Sequence, residues 1–475
     1  MAKEQTQKVI QIFREISAVP RGSYHTEKIR GYVKKWAAAR KLPCYEDGAG
    51  NILIKKQGSA GQETKPPILL QGHMDMVCVK EPGSKHNFET EGIEILEKDG
   101  YLTANGTTLG ADNGIGMAMA MYFLDDPEAV HPPLEVLFTT DEEVGLIGAR
   151  NLDPKALPIT AKTLLNLDSG WDGVFIVGCA GGGNVELTLP LKNVTTPQGT
   201  EKCYEIRISG LTGGHSGAEI QLGRANAIVT MGRVLTALSV EHRVSSIHGG
   251  ELDNVIAQEC VVRVLCAEGE ILKQQIAEIR GQLQHEFAQT DPHLELEVTE
   301  TEAEEAGSSE ATGRLEALLT LLPNGVLARD EELGLVLTST NVGRIRTTEE
   351  GIKVYCMPRS SVPGHFESLV MPKFKALMNL LGGSVRGEGF YSGWEYNRES
   401  EIVPKALAAY QKVTGHCGEA RALHAGLECG ILMEKLGKMD AVSFGPADPG
   451  AHSVNESLNL ASLDTTVAMM VELLK

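Results

Sequence analysis

The sequence predicts an α/β protein: a helix-flanked, mostly parallel sheet built from both ends of the chain, with an α+β domain inserted in the middle. Two observations predict it. Apolar strand-like runs alternate with helical segments at both ends, whereas the middle carries longer two-sided strands between long helices. The length of 475 residues allows roughly three domain-sized units, or two with one of them large.

In chain order, Met1–Val19 and Thr26–Arg40 space their apolar residues as amphipathic helices, and Pro67–Gln71 is a short apolar strand. Asn113–Leu124 reads as a helix, and Leu134–Thr139 and Thr163–Leu167 as buried strands, which is the rhythm of βαβ units. In the middle, Cys203–Ser209, Ala257–Ala267 and Gly351–Cys356 read as strands, and Ala225–Ser239, Ile271–Phe287 and Phe366–Leu381 as helices. The order strand pair, helix, strand occurs around Arg243–Glu300 and again around Val336–Gly387, which suggests an internal duplication without a residue-level repeat. The acidic stretch Glu300–Ala311 lacks an apolar face and reads as a solvated connector. Helices at Pro404–Thr414 and Gly426–Leu436 and a strand at Asp440–Phe444 then restore the α/β rhythm. The expected division is 1–184 with 390–475, and 185–389.

Composition removes several function classes. A formal charge of −19 repels phosphate backbones and anionic lipid, so neither nucleic acid nor a membrane is an expected partner. No apolar run approaches the roughly 20 residues a membrane helix needs, and the start lacks an export pattern. Nine scattered cysteines form no Cys-x-x-Cys pair, which fits the reducing cytoplasm better than a disulfide framework or a zinc knuckle.

The chemistry lies in five motifs, most of them directly behind an apolar run and so at the carboxyl edge of a sheet, where open α/β sheets bind ligands. In ILLQGHMDMV, His73 and Asp75 point the same way from extended backbone, so the carboxylate can orient the imidazole toward a metal. TTLGADNGIG surrounds Asp112 with glycines at a helix start, and LEVLFTTDEEVG sets Asp141, Glu142 and Glu143 in a row, where like charges repel unless a cation collects them. LLNLDSG ends on Asp168, and FGPADPGAHSVNE carries His452. Singly, each could be a solvated loop or a helix cap. Together they supply two histidines and three or four carboxylates without thiolate, a donor set for zinc, manganese or cobalt in an open site, and hence a two-metal hydrolase. A G-x-S-x-G elbow, a P-loop and a G-x-G-x-x-G turn are all missing.

The order HMD, GADNG, DEEVG, LDS, GGHSG and AHSVNE resembles the dinuclear-zinc metallopeptidase family that includes carnosinase, bacterial carboxypeptidase G and succinyl-diaminopimelate desuccinylase. LGADNGIG, HSGAEI, HAGLECG and AHSVNE, with the length of the insert, resemble its aminoacyl-histidine dipeptidase branch. The resemblance implies two divalent ions per subunit, zinc foremost, one held by His73, Asp112 and Asp168 and the other by Asp112, Glu143 and His452. It further implies Glu142 as general base and acid, Asp75 as the partner of His73, a cis peptide between Asp112 and Asn113, and His215 of the inserted lid as donor to the scissile carbonyl. Asn254 sits where relatives contact substrate, and His424 and Glu428 lie where they bind its ends. Arg359 is a candidate for a bidentate pair with the substrate's carboxylate.

The implied activity is hydrolysis of unblocked dipeptides, Xaa-His foremost, by a cytoplasmic homodimer joined through the lid. A deacylase of N-acylated amino acids is the alternative, and a noncatalytic protein of the same fold a third reading. Met117, Met119 and Met121 read as core filler. His25, His86, His131, His242, His248, His285, His293, His365 and His416 read as surface residues.

Overall fold

A computed structural model of the chain describes residues 2–190, 195–302, 305–331 and 334–475. Backbone contacts divide it into two units. One comprises Met1–Cys179, Trp394–Leu423 and Leu427–Lys475, and the other Ala180–Gly393 with His424–Gly426. The boundaries expected at 184/185 and 389/390 fall inside the strands Gly181–Leu189 and Ser384–Tyr391, which pair with each other and so belong to one sheet.

The first unit is built on an eight-stranded sheet ordered Cys44–Glu46, Ile52–Lys56, Leu134–Thr139, Ile68–His73, Thr163–Asn166, Asp440–Ser443, Val174–Cys179, Glu419–Leu423. Its four central strands, from Leu134–Thr139 to Asp440–Ser443, are parallel. Antiparallel pairing enters on either side of them. Parallel strands buried on both faces need unbroken apolar sequence, and Leu134–Thr139 is buried at every position. The helix Ala111–Asp125 is apolar nearly all round, with Met117, Met119 and Met121 fully buried, so the methionines fill the core as expected. Its first turn carries Asp112 to the carboxyl edge where the parallel strands end.

The second unit is a nine-stranded antiparallel sheet. Lys202–Ser209, helix Ala227–Ala237, His242–Gly249, Cys260–Cys266, helix Gly269–Glu286 and Glu295–Thr301 form one half. Gly181–Leu189, helix Ser309–Leu321, Leu335–Thr348, Gly351–Ser360, helix Met371–Leu381 and Ser384–Tyr391 repeat that order. In the sheet each half places its last strand beside its first, then its third and second, so the halves mirror one another. They join where His248 and Gly249 pair with Arg346 and Ile345. The first half is nested between the first strand and first helix of the second, which is why a linear repeat does not show in the sequence. The strand Gly325–Asp330 is added beside Leu335–Thr348.

Three expectations change. His131 and His242 are buried rather than exposed; Nδ1 of His242 meets the Val240 carbonyl at 2.9 Å and its Nε2 lies 3.0 Å from Glu316. The acidic stretch is not a free connector throughout, since Ala306 is buried and exchanges two backbone hydrogen bonds with Thr195. Residues 303 and 304 of that stretch lie outside the described residues. Among the described residues, no helix is long and apolar enough to cross a membrane.

Candidate metal centre

Each strand of the parallel core ends on chemistry. His73 closes Ile68–His73, Glu142 and Glu143 follow Leu134–Thr139, Asp168 follows Thr163–Asn166, and His452 lies in the loop after Asp440–Ser443. The structure brings all five expected ligands together in the first unit. His73 Nε2 lies 3.0 Å from Asp112 Oδ1 and 3.5 Å from Asp168 Oδ1. His452 Nε2 lies 3.1 Å from Asp112 Oδ2 and 2.9 Å from Glu143 Oε2. One carboxylate therefore stands between two imidazoles, with a separate oxygen for each. The Asp112–Asn113 peptide is cis, and the Asn113 side chain donates to Asp168 Oδ1 at 3.0 Å and to the Leu167 carbonyl.

Asp75 is fully buried, 3.4 Å from His73 Nδ1, and accepts from Ser23 Oγ and from the backbone N–H groups of Glu142 and Glu143. It thus ties the orientation of His73 to the backbone that presents the two glutamates. Burial raises Glu142 well above the usual carboxylate range; the Asp168, Glu428 and Glu143 carboxylates add to this and His73 opposes it. Asp168 and Glu143 are raised chiefly by burial too. Hydrogen bonds to Asp112 and then Glu143 push His452 up to about 11.

The donor set fits a divalent cation. One ligand atom each from His73, Asp112 and Glu143 lies within 4.8 Å of the other two. Glu143 Oε1 is buried with no hydrogen-bond partner, and several carboxylates crowd one water-poor place, which costs free energy unless positive charge joins them. Nitrogen and carboxylate ligands without thiolate suit zinc, manganese or cobalt.

Asp448 shares the same cavity of about 780 Å³, with Trp171 and Arg421 on its wall. Burial, then Asp112, Glu456 and Asp168, push its carboxyl up to about 8. Its place in GPADPGAHS, four residues before His452, was the only signal that could have singled it out. Glu428, expected at the substrate, is instead fully buried. Its Oε2 accepts from Gln71 Nε2 at 2.6 Å and Thr139 Oγ1 at 2.7 Å, binding together the strands that deliver His73 and the two glutamates.

The second unit gathers His215, Arg359 and His424 around Gly217. A Cβ there would lie 3.0 Å from both Arg359 Nε and His215 Cε1 and would strike the His424 carbonyl, so only glycine fits. His215 Nδ1 accepts from the backbone N–H groups of Gly217 and Ala218, at 3.2 and 2.9 Å, which leaves its proton on Nε2 as a donor. Burial and then Arg359 lower its pKa and keep it neutral. The same two causes bring His424 down to about 3, with its Nε2 2.7 Å from Ser339 Oγ. Arg359 is buried, and its Nε has no hydrogen-bond partner. Asn254 is exposed, and its carbonyl accepts from the Ser216 N–H beside His215.

The profile of peptidase family M20/M25/M40 matches residues 69–475. The cytosol non-specific dipeptidase of Escherichia coli (strain K12) is 34% identical over 470 residues, 98% of this chain and 96% of its own. The crystal structure of aminoacylhistidine dipeptidase from Vibrio alginolyticus matches with a TM-score of 0.90 at 34% identity, over 98% of this chain and 96% of that one. Human carnosine dipeptidase 1 shares the fold at 12% identity, with a TM-score of 0.53 over 100% of this chain and 96% of its own.

Proposed function

The chain belongs to peptidase family M20/M25/M40 and is a hydrolase; from that premise we propose that it cleaves unblocked dipeptides, Xaa-His foremost, using two divalent cations per chain. The observation that carries this reading is the Asp112 carboxylate, placed between His73 and His452 with one oxygen toward each. His73 and Asp168 complete one cation's ligands, and Glu143 and His452 the other's. Zinc is the expected metal, with manganese or cobalt as substitutes. When bound, such a pair polarises the peptide carbonyl and acidifies a water.

The remaining work falls to side chains. Glu142 takes the water's proton and returns it to the leaving amine, a task for which a carboxyl raised by burial above the usual carboxylate range is suited. Asp75 holds His73 in the tautomer that leaves Nε2 free for the cation. His215, supplied by the same chain or by a second copy in a homodimer, donates Nε2–H to the oxygen that becomes negative. Arg359 receives the substrate's terminal carboxylate, with Asn254 and His424 close by in the second unit. The first unit thus serves as the catalytic domain and the second as a lid. A free α-ammonium suits the acidic first unit, whereas an acylated amine would leave those carboxylates unpaired. The names of the two relatives at 34% identity support a dipeptide substrate, and that of the Escherichia coli enzyme supports a cytoplasmic location.

The test compares kcat/KM for Ala-His and β-Ala-His with their N-acetylated forms and with a tripeptide. Preference for the free dipeptides supports the reading; equal or faster cleavage of acetylated substrates replaces it with a deacylase.

A further inference from the structure

We propose that Glu456 and Arg21 are positioning residues that clamp the Asp112 loop from opposite sides, and that tight binding of both cations depends on this clamp. The inference rests on the reading of Asp112 as the shared ligand. Glu456 lies 345 residues from Ala111 in sequence, yet its carboxylate gathers the N–H groups of four successive residues of the loop. Its Oε2 accepts from Leu109 at 2.7 Å and Gly110 at 2.9 Å, and its Oε1 from Ala111 at 2.7 Å and Asp112 at 3.3 Å. These donors lie in the turn ahead of the regular helix, because Asp112 and Asn113 keep non-helical backbone angles and the chain runs as a continuous helix only after them; no side chain near in sequence caps that turn. Glu456 therefore satisfies buried N–H groups of this turn that the local sequence leaves orphaned. One of them is the amide of Asp112 itself.

Arg21 takes the same loop by its carbonyl. It is 1% exposed, and its Nη2 donates to the Gly110 oxygen while Nη1 donates to the carbonyls of Met74 and Asp75 at 3.2 and 3.1 Å. One guanidinium thereby joins the backbone beside His73 to the backbone beside Asp112. The fit demands glycine twice: a Cβ on Gly110, whose φ is +69°, or on Gly114 would come within 2.5 Å of Arg21 Nη2. Burying a guanidinium and a carboxylate is costly, and Arg21 bears part of that cost openly, since its buried Nε has no hydrogen-bond partner. The hydrogen bonds the two groups do make go to main-chain atoms that set where the Asp112 carboxylate stands, and none goes to a ligand side chain.

The test measures cation affinity and stoichiometry on metal-stripped full-length protein, titrated with zinc against a chromophoric chelator. Glu456→Ala should bind about 10- to 100-fold more weakly, the usual effect of losing a partner that orients a ligand. That truncation leaves a carboxylate-sized gap lined by N–H groups, so millimolar formate should restore most of the loss. Glu456→Gln fills the gap and turns an amide N–H toward backbone N–H groups; it should be as weak and gain nothing from formate. Affinity is read only on protein whose fold is verified by circular dichroism, so a role confined to general stability would leave it at the wild-type value. If Glu456→Ala is insoluble, the Glu456→Gln titration decides alone. Wild-type affinity in the soluble variants, or a formate effect equal in wild type, Ala and Gln forms, overturns the proposal. Asp112→Ala run in parallel separates the two readings: if it keeps both cations, the shared-ligand reading falls, and if it loses them while the Glu456 variants keep theirs, only the clamp falls.

Discussion

The two units solve the same problem with opposite charge. The first confines Asp112, Glu142, Glu143, Asp168 and Asp448 to one cavity, and burial raises all of them except Asp112, which His452 and His73 hold low. The second confines His215, Arg359 and His424 around one glycine, and burial lowers all three. A structural ion pair would place the two signs together and bring each group back toward its preferred charge. Crowding more carboxylates than His73 and His452 can neutralise, and more cationic groups than Glu219 can, costs stability and leaves the surplus ready for an outside partner. Cations and an ammonium suit the first set; a carboxylate and a developing oxyanion suit the second.

The sharpest break is Glu142→Gln. It should keep the metals and lower kcat by about 10²- to 10⁴-fold, because a base must stay free for protons; kcat within about tenfold of wild type would point to another base. In the cationic set, His215→Ala should lower kcat by roughly 10²-fold with metal content unchanged, the scale of losing one oxyanion donor. Mixing it with Glu142→Gln sharpens the point. Regained activity under verified subunit exchange assigns His215 to the partner's site, and none assigns it to its own. Arg359→Met should act on binding, raising KM for Ala-His about 10- to 100-fold, as the loss of a charge-assisted hydrogen bond implies; an unchanged KM removes Arg359 from the substrate's carboxylate.

The smallest effect separates the units by pH. In chelator-treated protein, His452 is raised from 6.5 to about 11, Asp448 to about 8 and Glu428 to about 7. Stability from raised groups is complete below their ordinary values and is lost as pH climbs through the shifted ones, so the first unit should loosen from about pH 4, through Glu428 and Asp448, up to about pH 11, through His452. His424 is lowered from 6.5 to about 3, so its contribution is complete above 6.5 and is lost as pH falls toward 3. Regional hydrogen exchange, corrected for intrinsic rates, should show the Asp112 loop opening at high pH and the His424 segment at low pH. Parallel behaviour of both would break the contrast.

Much of the first unit was legible because its grammar is local. An apolar run followed at once by His73, by Asp141 to Glu143 or by Asp168 places ligands at the carboxyl edge of parallel strands whatever the rest of the chain does. What escaped depends on distance. Glu456 stands within AHSVNE, but nothing near it tells that its carboxylate will collect the N–H groups of a turn more than three hundred residues earlier. Arg21 follows a proline in a loop and gives no hint of burial. Glu428 opens a helix, where an acid is ordinarily solvated; only the tertiary fold puts Gln71 and Thr139 against it. The duplication in the second unit was visible as an order of elements and invisible as a repeat, because one half is threaded through the other.

The central claim is that one carboxylate, Asp112, serves two cations, and elemental analysis of purified variants tests it most directly. The account predicts close to two metals per chain in the wild type, about one in His452→Ala, and close to none in Asp112→Ala. Two metals retained in Asp112→Ala would contradict it.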